Sequence, residues 1–593
     1  MSGHKVNIAE YLFTRLNQLG VKDLHGVPGD FNLLALDYVE PCGVNWVGNC
    51  NELNAGYAAD AYGRLMGMGA LVTTFGVGEL SCLNAIAGSY AEFCPVVHIV
   101  GTPKRAAQKS GMLLHHTLGN GDFNVFADMS KPISIAQTNL MDPATAPAEI
   151  DRVLQACYVN SRPVYIQLPA DMVTEEVDAK LLDTPIIFEP PPSDHETEKL
   201  AAELILRKLY AAKRPTLLLD AGAQRHRVED LTEEFARKTG LPTFITPMGK
   251  GTANEQSPLF GGIYIGKRSE ESLRRRIEES DMVITIGNVK SDVNSFGFSY
   301  QISRLSSVDL HFDHVVMDCA KFENVYMKWL LQRLVNEVDP SKMHMETVDT
   351  PLLKDTRLTN GELTSTQDVT HDWLWPRLSS WLKSGDVVIT ETGTSFIGIW
   401  ETKFPTGVQA VNQTLWSSIG YGLGAAQGAA RAMKTQGTGR RTICFEGDGS
   451  FQLTAQELST IIRQDLDCTV FLIENDGYEI ERWVHGFKAK YNDISKWRYS
   501  KIAEVFTPEE EASQHRVKSY KIGTRSELEE LLADEDFSAG KGLHFVELHM
   551  PRYTAPQALI DFAQGLSKKS DQRRVQDGHR YIRSRSVLPT RLS

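Results

Sequence analysis

The chain has 593 residues, of which 42% are hydrophobic and 23% charged, a balance typical of a soluble globular protein with several cores. Its formal net charge of −13 argues against nonspecific binding to nucleic acid. No apolar run approaches the roughly 18 residues that a membrane-spanning helix needs, and the amino terminus lacks the apolar core of a signal peptide. The eight cysteines contain no Cys-x-x-Cys pair, so we expect reduced, buried thiols in a cytoplasmic protein rather than a zinc site.

Short apolar runs alternate with helical patterns over residues 1–187, which indicates a parallel sheet flanked by helices. Residues 8–19 carry apolar side chains at helical spacing. Strands are predicted at 24–27, 44–47, 70–75, 96–100 and 164–168, and a helix at 51–64. The Pro-rich stretch 188–194 that follows is the clearest linker in the chain.

A second α/β segment is predicted over residues 195–345, and a third over 368–566. Between about Met343 and Gln367 the sequence is polar and loses periodicity, which indicates a second linker. Strands are predicted at 216–219, 243–245 and 283–286 in the second segment, and at 387–389 and 543–548 in the third.

The last residues, 567–593, form a basic tail. From Lys568 onward they contain eight Lys or Arg side chains and two Asp. The tail is rich in Ser and Arg and weakly apolar, so we expect it to be disordered and solvated. A role in binding nucleic acid or membrane is the alternative for such a charge run.

The most informative stretch runs from Thr442 to Glu481. An apolar run before Gly447-Asp448-Gly449-Ser450, a helical pattern over 453–463 and a second apolar run before Asn475-Asp476-Gly477-Tyr478 predict a strand, turn, helix, strand and turn. Both turns then lie at the carboxyl ends of parallel strands, where open α/β sheets bind ligands. A lone Gly-Asp-Gly is usually an ordinary turn, but the paired turns are more specific. Oxygen ligands on both turns predict a site for Mg²⁺ and a diphosphate group.

This stretch resembles the diphosphate-anchoring motif of thiamine-diphosphate enzymes, which begins with Gly-Asp-Gly and ends with Asn-Asn. Glu474 stands where the first Asn of that pair would be, and Asn475 keeps the second. The segments HGVPGDFN, NELNAGYAADAYGR, TTFGVGELS, LLHHTLGNGDF, TPMGKG, ETGTS and NDGYEIE resemble the pyruvate decarboxylase branch of that family. The resemblance covers most of the chain and stops at the tail, from about Lys568.

The resemblance implies three doubly wound α/β domains with mostly parallel sheets. These are a pyrimidine-binding domain at 1–187, a middle domain at 195–345 and a diphosphate-binding domain at 368–566. It implies non-oxidative decarboxylation of pyruvate to acetaldehyde and CO₂ with thiamine diphosphate and Mg²⁺, through a C2 carbanion/enamine intermediate. It also implies a cytoplasmic homodimer whose subunits share their active sites, paired into a dimer of dimers, with no membrane or nucleic-acid partner.

The resemblance assigns the cofactor contacts residue by residue. Glu52 matches the Glu that activates C2 of the cofactor, although a lone Glu at a helix start is normally a surface residue. Ile419 matches the side chain that wedges between the two cofactor rings, with core packing as the alternative. The assigned cofactor residues are Glu52, Thr392, Gly393, Thr394, Ser417, Ser418, Ile419, Gly447, Asp448, Gly449, Ser450, Asn475, Gly477 and Tyr478. Those assigned to Mg²⁺ are Asp448, Asn475 and Gly477.

The adjacent residues His115 and His116 lie in a Gly-bounded loop. Imidazole is the side chain best suited to move protons near neutral pH. Metal binding is the alternative, but neighbouring side chains of an extended loop point apart, so we do not expect both to bind one ion. The resemblance assigns proton transfer to Asp30, His115, His116 and Glu481. We expect burial to raise the pKa of Glu481 so that it can face an anionic substrate.

The resemblance also bears on the substrate and on regulation. The matching pocket residues are Asp30, His116, Phe298, Phe396, Ile480 and Glu481. Two Phe rings and an Ile leave little room, which favours pyruvate over aromatic 2-keto acids. Gly222 stands where fungal members often have a Cys implicated in substrate activation, and Phe93 stands at a His position. Because the cysteines read as buried, we expect any cooperativity to survive thiol-blocking reagents.

Two other functions stay open. One is a different enzyme of the same fold, such as an acetolactate synthase or an aromatic 2-keto acid decarboxylase. The His115-His116 pair favours a decarboxylase over the synthases, which also bind FAD. The other is an inactive, cofactor-binding paralogue with a regulatory or filament-forming role, against which the presence of every assigned catalytic residue argues.

Overall fold

The computed structural model describes residues 5–346, 367–509 and 516–564. Three sheets of mostly parallel strands lie within these residues, one in each of the three predicted α/β segments. The predicted α/β fold is therefore confirmed, while the exact bounds of the domains stay predictions. The second predicted linker lies largely outside the described residues, and the basic tail 567–593 lies wholly outside them.

The N-terminal sheet has six parallel strands. Their spatial order is Asn45–Trp46, Asp23–Gly26, Gly69–Thr74, Val96–Thr102, Val164–Pro169 and Ala136–Asn139. The α-helices around it are Ile8–Gln18, Leu33–Leu36, Glu52–Met66, Val77–Ser81, Leu83–Ala91, Arg105–Lys109, Val125–Ser130 and Ala146–Asn160. Because helices cover both faces, the central strands are buried along their whole length and read as continuous apolar runs. A separate antiparallel pair joins Lys5–Asn7 to Glu176–Asp178.

The middle sheet has seven strands. Their order is Phe260–Ile263, Thr243–Ile245, Pro215–Leu219, Met282–Ile286, Ser307–Leu310, His314–Met317 and Ala320–Glu323. Its α-helices are His195–Ala211, Ala221–Arg225, Glu229–Thr239, Glu271–Glu278 and Met327–Glu337. The first five strands are parallel and the last two form an antiparallel meander. The sequence patterns predicted only Thr243–Ile245, Pro215–Leu219 and Met282–Ile286, three neighbouring parallel strands that are buried along their whole length.

The C-terminal sheet has six parallel strands. Their order is Gln409–Val411, Val387–Thr390, Thr442–Gly447, Cys468–Glu474, Leu543–His549 and Val517–Ile522. Its α-helices are His371–Trp381, Thr394–Gly398, Tyr421–Gln436, Asp448–Thr454, Glu457–Arg463, Glu479–Val484, Ile502–Val505, Arg525–Ala533 and Glu535–Ala539, followed by helical residues 557–564. From Val387–Thr390 the chain passes outward to one neighbour and then returns on the other side. The crevice between Val387–Thr390 and Thr442–Gly447 is therefore a topological switch point, where such sheets bind ligands.

The helix after the Gly-Asp-Gly sequence differs from the prediction of one helix over 453–463. Two helices occupy this stretch, Asp448–Thr454 and Glu457–Arg463. The first begins directly after the strand that ends at Gly447, so the predicted turn is the first turn of a helix. An Asp in the first turn suits a helix, because its charge opposes the positive end of the helix dipole.

Two glycines let the N-terminal and C-terminal segments approach closely. The helix Glu52–Met66 lies across the helix Tyr421–Gln436. A Cβ atom on Gly428 would lie 2.0 Å from the carbonyl oxygen of Ala58, and one on Gly424 would also meet the opposite helix. The backbones are therefore in direct contact, and the loop that precedes Tyr421 is fixed against the N-terminal segment.

The expectation that all eight cysteines are buried is wrong for three of them. Cys50 and Cys319 are exposed and Cys42 is partly exposed, while the other five are buried. Cys50 lies in the loop before the helix Glu52–Met66, and Cys319 lies in the turn between the last two middle-domain strands. Apolar neighbours in sequence do not ensure burial where the chain turns at the surface.

A buried ion pair connects the middle and C-terminal segments. Lys250 Nζ lies 2.8 Å from Glu255 Oε1, and both side chains are 1% exposed. Lys250 Nζ donates a hydrogen bond to Thr402 O at 2.5 Å, and the backbone N–H of Phe404 donates to Glu255 Oε2 at 2.9 Å. Each charge has lost its water, so each depends on the other and on these backbone groups.

We expect Lys250→Met to lower the free energy of unfolding by about 3–5 kcal/mol, because Glu255 would be left buried and unpaired. The matched control is Lys5→Met, since Lys5 pairs with Glu176 through side chains that are 60% and 61% exposed. That loss should cost less than about 1 kcal/mol. Denaturant unfolding of both variants measures the difference, and equal effects would contradict the assignment of a buried, interdependent pair.

Candidate active site

A cavity of about 310 Å³ lies at the switch point of the C-terminal sheet. It is lined by predicted cofactor residues from four separate chain segments. They are Thr392, Gly393, Thr394, Ser417, Ile419, Gly447, Asp448, Gly449, Ser450, Asn475, Gly477 and Tyr478. The predicted pocket residues Phe396, Ile480 and Glu481 line it as well. The fold therefore brings together most of the residues that the sequence assigned to the cofactor.

Asp448 joins the two turns at this cavity. Its side chain is almost completely buried. Oδ1 accepts a hydrogen bond from the N–H of Gly449 at 2.7 Å, and Oδ2 accepts from the N–H groups of Asn475 and Gly477 at 3.1 Å each. Burial raises the pKa of Asp448 to about 7, and the three N–H groups oppose that rise because they favour the ionised carboxylate.

Three oxygen atoms converge at this point, one each from Asp448, Asn475 and Gly477. The amide oxygen of Asn475 lies 3.3 Å from Asp448 Oδ1 and 2.9 Å from Gly477 O. Three acceptors at these distances repel one another unless a cation lies among them, or unless the amide turns over so that its nitrogen donates to both neighbours. Carboxylate, amide and carbonyl oxygens are the ligands that Mg²⁺ prefers. The donor set therefore fits the predicted metal.

Arg482 fixes the turn at residues 475–478. Its side chain is 1% exposed and forms ion pairs with Glu479 at 2.7 Å and Asp493 at 3.0 Å. The guanidinium also donates to the carbonyl oxygens of Asn475 at 3.2 Å and Asp476 at 2.5 Å. These bonds fix the backbone of the turn, so the oxygens that face Asp448 are held in place before any ligand binds.

Glu474, which departs from the family motif, faces away from the cavity. It lies opposite His549 on the neighbouring strand, and His549 Nδ1 is 2.6 Å from Glu474 Oε2. This hydrogen bond engages the carboxylate outside the cavity. The departure therefore leaves the converging oxygens at Asn475 unchanged.

Of the three residues from Ser417 to Ile419, two line the cavity and one contacts the N-terminal segment of the same chain. Ile419 is 37% exposed and lines the cavity, which excludes core packing as its role. Ser417 also lines it and has φ of 54°, a left-handed conformation that costs a residue with a side chain about 1–2 kcal/mol and explains why glycine is usual there. Ser418 is not part of the lining, and its Oγ lies 2.8 Å from the hydroxyl of Tyr57.

Thr392 offers an unused hydrogen-bonding group to this site. Its Oγ1 is buried and has no hydrogen-bond partner within the described part of the chain. The residue lines the cavity next to Thr394, which begins a helix. A buried hydroxyl without a partner is costly unless a ligand satisfies it. Thr392 therefore fits a residue that contacts a bound anion such as a diphosphate group.

Three of the four predicted proton-transfer residues, Asp30, His115 and His116, form a second cluster at the N-terminal sheet. His115 Nε2 lies 2.5 Å from Asp30 Oδ2, and His116 Nε2 lies 3.8 Å from Asp30 Oδ1. The ring of His115 stacks on Phe31 with the ring centres 5.0 Å apart. The two imidazoles lie 4.7 Å from each other. Our expectation that they point apart is wrong, because His116 has φ of 61° and its left-handed backbone turns its ring back toward His115.

Glu52 begins a helix beside this cluster. Asn51 caps that helix, its side chain accepting a hydrogen bond from the N–H of Asn54. Partial burial raises the pKa of Glu52. A Cβ on Gly78 would lie 3.0 Å from Glu52 Oε1, and one on Gly76 would lie 2.2 Å from the carbonyl oxygen of His116. The Gly76–Gly78 turn therefore lies against both groups: a side chain at Gly76 would clash with the backbone of His116, and one at Gly78 would crowd Glu52.

The two groups of predicted catalytic residues do not meet within one chain. Glu52, Asp30, His115 and His116 do not line the cavity at Asp448, whose lining residues all fall between 293 and 562. In the described chain the predicted active site is therefore split between two surfaces.

Family models match three parts of the chain. They are the N-terminal TPP binding domain of thiamine pyrophosphate enzymes at residues 6–124, the central domain at 202–328 and the C-terminal TPP binding domain at 392–548. A pyruvate decarboxylase of Aspergillus terreus is 49% identical over 94% of this chain and 96% of its own length. Those of Aspergillus fumigatus and Saccharomyces cerevisiae (isozyme 1) are 47% and 42% identical, over 95% and 94% of this chain and 98% of their own lengths. The chain belongs to the pyruvate decarboxylase family of thiamine pyrophosphate enzymes.

Membership of this family confirms the predicted resemblance and its cofactor. Both of the family's TPP binding domains match, and thiamine pyrophosphate is another name for thiamine diphosphate. The C-terminal match includes the cavity lining from Thr392 to Val484. Among the described helices, none combines the length and apolar character of a membrane-spanning segment.

Phe296, rather than the predicted Phe298, lines the cavity. Phe298 is 70% exposed and outside the lining, whereas Phe296 is almost buried and packs edge-to-face on Phe562 with the ring centres 5.4 Å apart. Residues 296, 297 and 298 all have left-handed φ angles, of 50°, 72° and 57°. This tight turn sends the two Phe rings in different directions, which a family pattern alone cannot show.

Glu481 lines the cavity but is exposed in the described chain. The burial that we expected to raise its pKa is therefore not provided by the surrounding residues of this subunit. Its neighbour Glu479 is the buried carboxylate, and it faces Arg482 behind the turn. The first turn of the helix Glu479–Val484 thus places Glu479 in the protein interior and Glu481 at the cavity.

Several apolar lining residues were missed by the sequence reading. They are Val293, Phe296, Ile397, Trp400, Val484, Ala558, Leu559 and Phe562. The last three lie on one face of the helical residues 557–564, and their spacing is an available signal. The others lie within a few residues of predicted pocket residues, but which of them face the cavity depends on the local backbone.

The two departures at Gly222 and Phe93 have local structural reasons. A Cβ on Gly222 would lie 2.6 Å from both the Cα and the carbonyl oxygen of Gly287, so no side chain fits there. Phe93 has φ of 57°, and the guanidinium of Arg162 lies 3.6 Å from the centre of its ring. This cation–π contact engages the Phe93 ring at the position where the resemblance implied a His.

Lowering the pH below about 7 should weaken Mg²⁺ binding at Asp448. The raised pKa of about 7 means that the metal-free carboxyl takes up a proton below that pH, and the cation must then displace it. The affinity should fall toward tenfold per pH unit below about 7 and level off above it. Calorimetric Mg²⁺ titrations with thiamine diphosphate present, from about pH 5.5 to 8, measure the slope. Asp448→Asn should bind weakly without the slope, and a flat wild-type profile would contradict the site.

Proposed function

We propose that this protein decarboxylates pyruvate to acetaldehyde and CO₂ with thiamine diphosphate and Mg²⁺. The observation that carries the proposal is the group of converging oxygens of Asp448, Asn475 and Gly477, in a cavity that also contains Ile419. Relatives named pyruvate decarboxylases match nearly the whole chain, which supports pyruvate as the substrate. Within the part of the chain that the structure describes, no comparable feature favours a synthase or an inactive paralogue.

The cavity residues have distinct tasks toward the cofactor. Asp448, Asn475 and Gly477 would hold Mg²⁺, and Thr392 and the helix start at Thr394 would contact the diphosphate group. Ile419, as an aliphatic side chain exposed in the cavity, would pack against the cofactor and orient it. When bound, thiamine diphosphate supplies the electron sink that decarboxylation of a 2-keto acid requires.

The cluster of Asp30, His115 and His116, together with Glu52, would carry out proton transfer. Partial burial raises the pKa of Glu52, which favours its protonated form and suits hydrogen bonding to the aminopyrimidine. Asp30 accepts the hydrogen bond of His115 at 2.5 Å and so fixes its ring. His115 and His116 would then exchange protons with the reacting carbon, while Glu481 would face the substrate carboxylate.

A second subunit is required to complete this site. Glu52 and the histidines lie on one surface and the Asp448 cavity on another, so a symmetric homodimer can join the two halves twice. Large apolar side chains are exposed beside both halves, Leu113 and Val77 near the histidines and Ile419 and Leu453 near the cavity. We infer two shared active sites per dimer. A dimer of dimers and a cytoplasmic location belong to the same proposal and rest on the family resemblance.

The walls of the cavity favour a small substrate. Phe396 and Ile480 line it as predicted, and Phe296 takes the place assigned to Phe298. These side chains leave little room once a cofactor is bound. We therefore expect kcat/KM for pyruvate to exceed that for phenylpyruvate or indolepyruvate.

The purified protein should release acetaldehyde and CO₂ from pyruvate when thiamine diphosphate and Mg²⁺ are added. Asp448→Ala should abolish this activity and the Mg²⁺-dependent retention of cofactor on gel filtration, because one of few charged ligands is lost. Asp536→Ala, which removes a carboxylate that is 65% exposed and pairs with Lys518 at the surface of the same domain, is the matched control and should retain both. An inactive wild-type protein that still retains cofactor would favour the paralogue, and an active, cofactor-retaining Asp448→Ala would refute the metal site.

A further inference from the structure

The cluster of Asp30, His115 and His116 has a ligand set that differs from the oxygen set at Asp448. One carboxylate oxygen and one nitrogen from each imidazole all lie within 4.8 Å of one another. Across residues 5–346, 367–509 and 516–564, it is the one group of three His, Cys, Asp or Glu side chains with such convergence. Two imidazoles and a carboxylate are ligands of zinc and related transition metals.

The local backbone holds these three side chains on one side. Asp30 follows the strand Asp23–Gly26 at its carboxyl end. The ring of His115 is stacked on Phe31 at an angle of 10° between the planes. The left-handed backbone of His116 is held against Gly76, where only a glycine fits below its carbonyl oxygen. The convergence is therefore a property of the fold and not of freely rotating side chains.

The distances are close to those of a tetrahedral metal site. Zinc bonds of about 2.0–2.2 Å to nitrogen and oxygen place neighbouring ligand atoms about 3.4 Å apart. The oxygens of Asp30 lie 2.5 Å from His115 Nε2 and 3.8 Å from His116 Nε2, which brackets that separation. Small side-chain rotations therefore suffice to bind an ion. Three protein ligands leave a fourth position for water, as in open zinc sites.

We propose that Asp30, His115 and His116 bind Zn²⁺ or a similar transition-metal ion such as Cu²⁺, separately from the Mg²⁺ site. Mg²⁺ and Ca²⁺ require oxygen ligands and would avoid the imidazoles, whereas affinity at nitrogen ligands rises toward Cu²⁺ and Zn²⁺. A bound ion occupies the nitrogen atoms that otherwise carry protons. Zinc therefore inhibits decarboxylation, and this consequence rests on the proposed function while metal binding does not.

Other side chains of the types that zinc prefers provide matched controls. His311 and His314 form a second stacked pair in the middle domain, with ring centres 4.4 Å apart. Cys50 and Cys319 are the exposed thiols. The double variants H311Q/H314Q and C50S/C319S test whether any pair of histidines or any exposed thiol accounts for the binding.

The experiment uses the full-length protein without a histidine tag, loaded with thiamine diphosphate and excess Mg²⁺. Competition with a chromogenic zinc indicator should give one tight Zn²⁺ per chain. His115→Gln, His116→Gln and Asp30→Asn should each weaken it by at least about 100-fold, since even outer-shell changes cost 10–100-fold. The control variants should bind as the wild type does. Circular dichroism checks that each variant is folded.

Binding that persists in the double variant H115Q/H116Q, or that disappears in either control, would overturn the proposal. A Co²⁺ titration adds a second readout, because four-coordinate cobalt gives visible absorption bands that should be absent in His116→Gln. Zn²⁺ that binds at this cluster without slowing pyruvate turnover would support the metal site and refute the role of the histidines in proton transfer. The two failures are thus distinguishable.

Discussion

The buried carboxylate of Asp448 is the interaction on which the rest of the active-site geometry depends. It accepts hydrogen bonds from the N–H groups of Gly449, Asn475 and Gly477, and so ties the ends of two neighbouring strands into one surface. A carboxylate that is removed from water carries a desolvation cost, which a nearby cation offsets. The carboxylate that links the two turns is therefore also the group that a bound metal would stabilise. Arg482 fixes the second turn through a hydrogen bond to the carbonyl oxygen of Asn475.

The division of the catalytic groups follows from the same architecture. Parallel sheets present their functional residues at the carboxyl ends of the strands, and each of the two TPP binding domains has its own such edge. The N-terminal edge carries Asp30 and the Gly76 turn against which Glu52 and His116 lie, and the C-terminal edge carries Asp448. Contact between the helices Glu52–Met66 and Tyr421–Gln436 fixes the two domains in one chain without joining the two edges. The association of two chains that we propose would therefore complete the catalytic site.

The sequence predicted the features that local pattern determines. The paired turns at Asp448 and Asn475 could be predicted because glycine, oxygen ligands and flanking apolar runs are all local signals. The direction in which a side chain points from a left-handed residue could not be predicted from these local signals. The left-handed backbone from Phe296 to Phe298 places the ring of Phe296, and not that of Phe298, at the cavity. The left-handed backbone of His116 brings its ring close to that of His115, whereas an extended loop would separate them. Exposure also failed as a prediction at Cys50 and Glu481, because it depends on which elements of the fold, or of a second subunit, cover a residue.

A subunit-mixing experiment tests the shared active site most directly. Asp448→Ala removes the metal half of each site and Glu52→Gln the other half, so each variant alone should be inactive. When the two are dissociated together and reassociated, half of the dimers should be mixed, and each mixed dimer should contain one site with both native residues. About a quarter of the wild-type activity should then return, as two-fold symmetry requires. No recovery, with mixed dimers shown to be present by mass spectrometry, would contradict the account that each site is built from two chains.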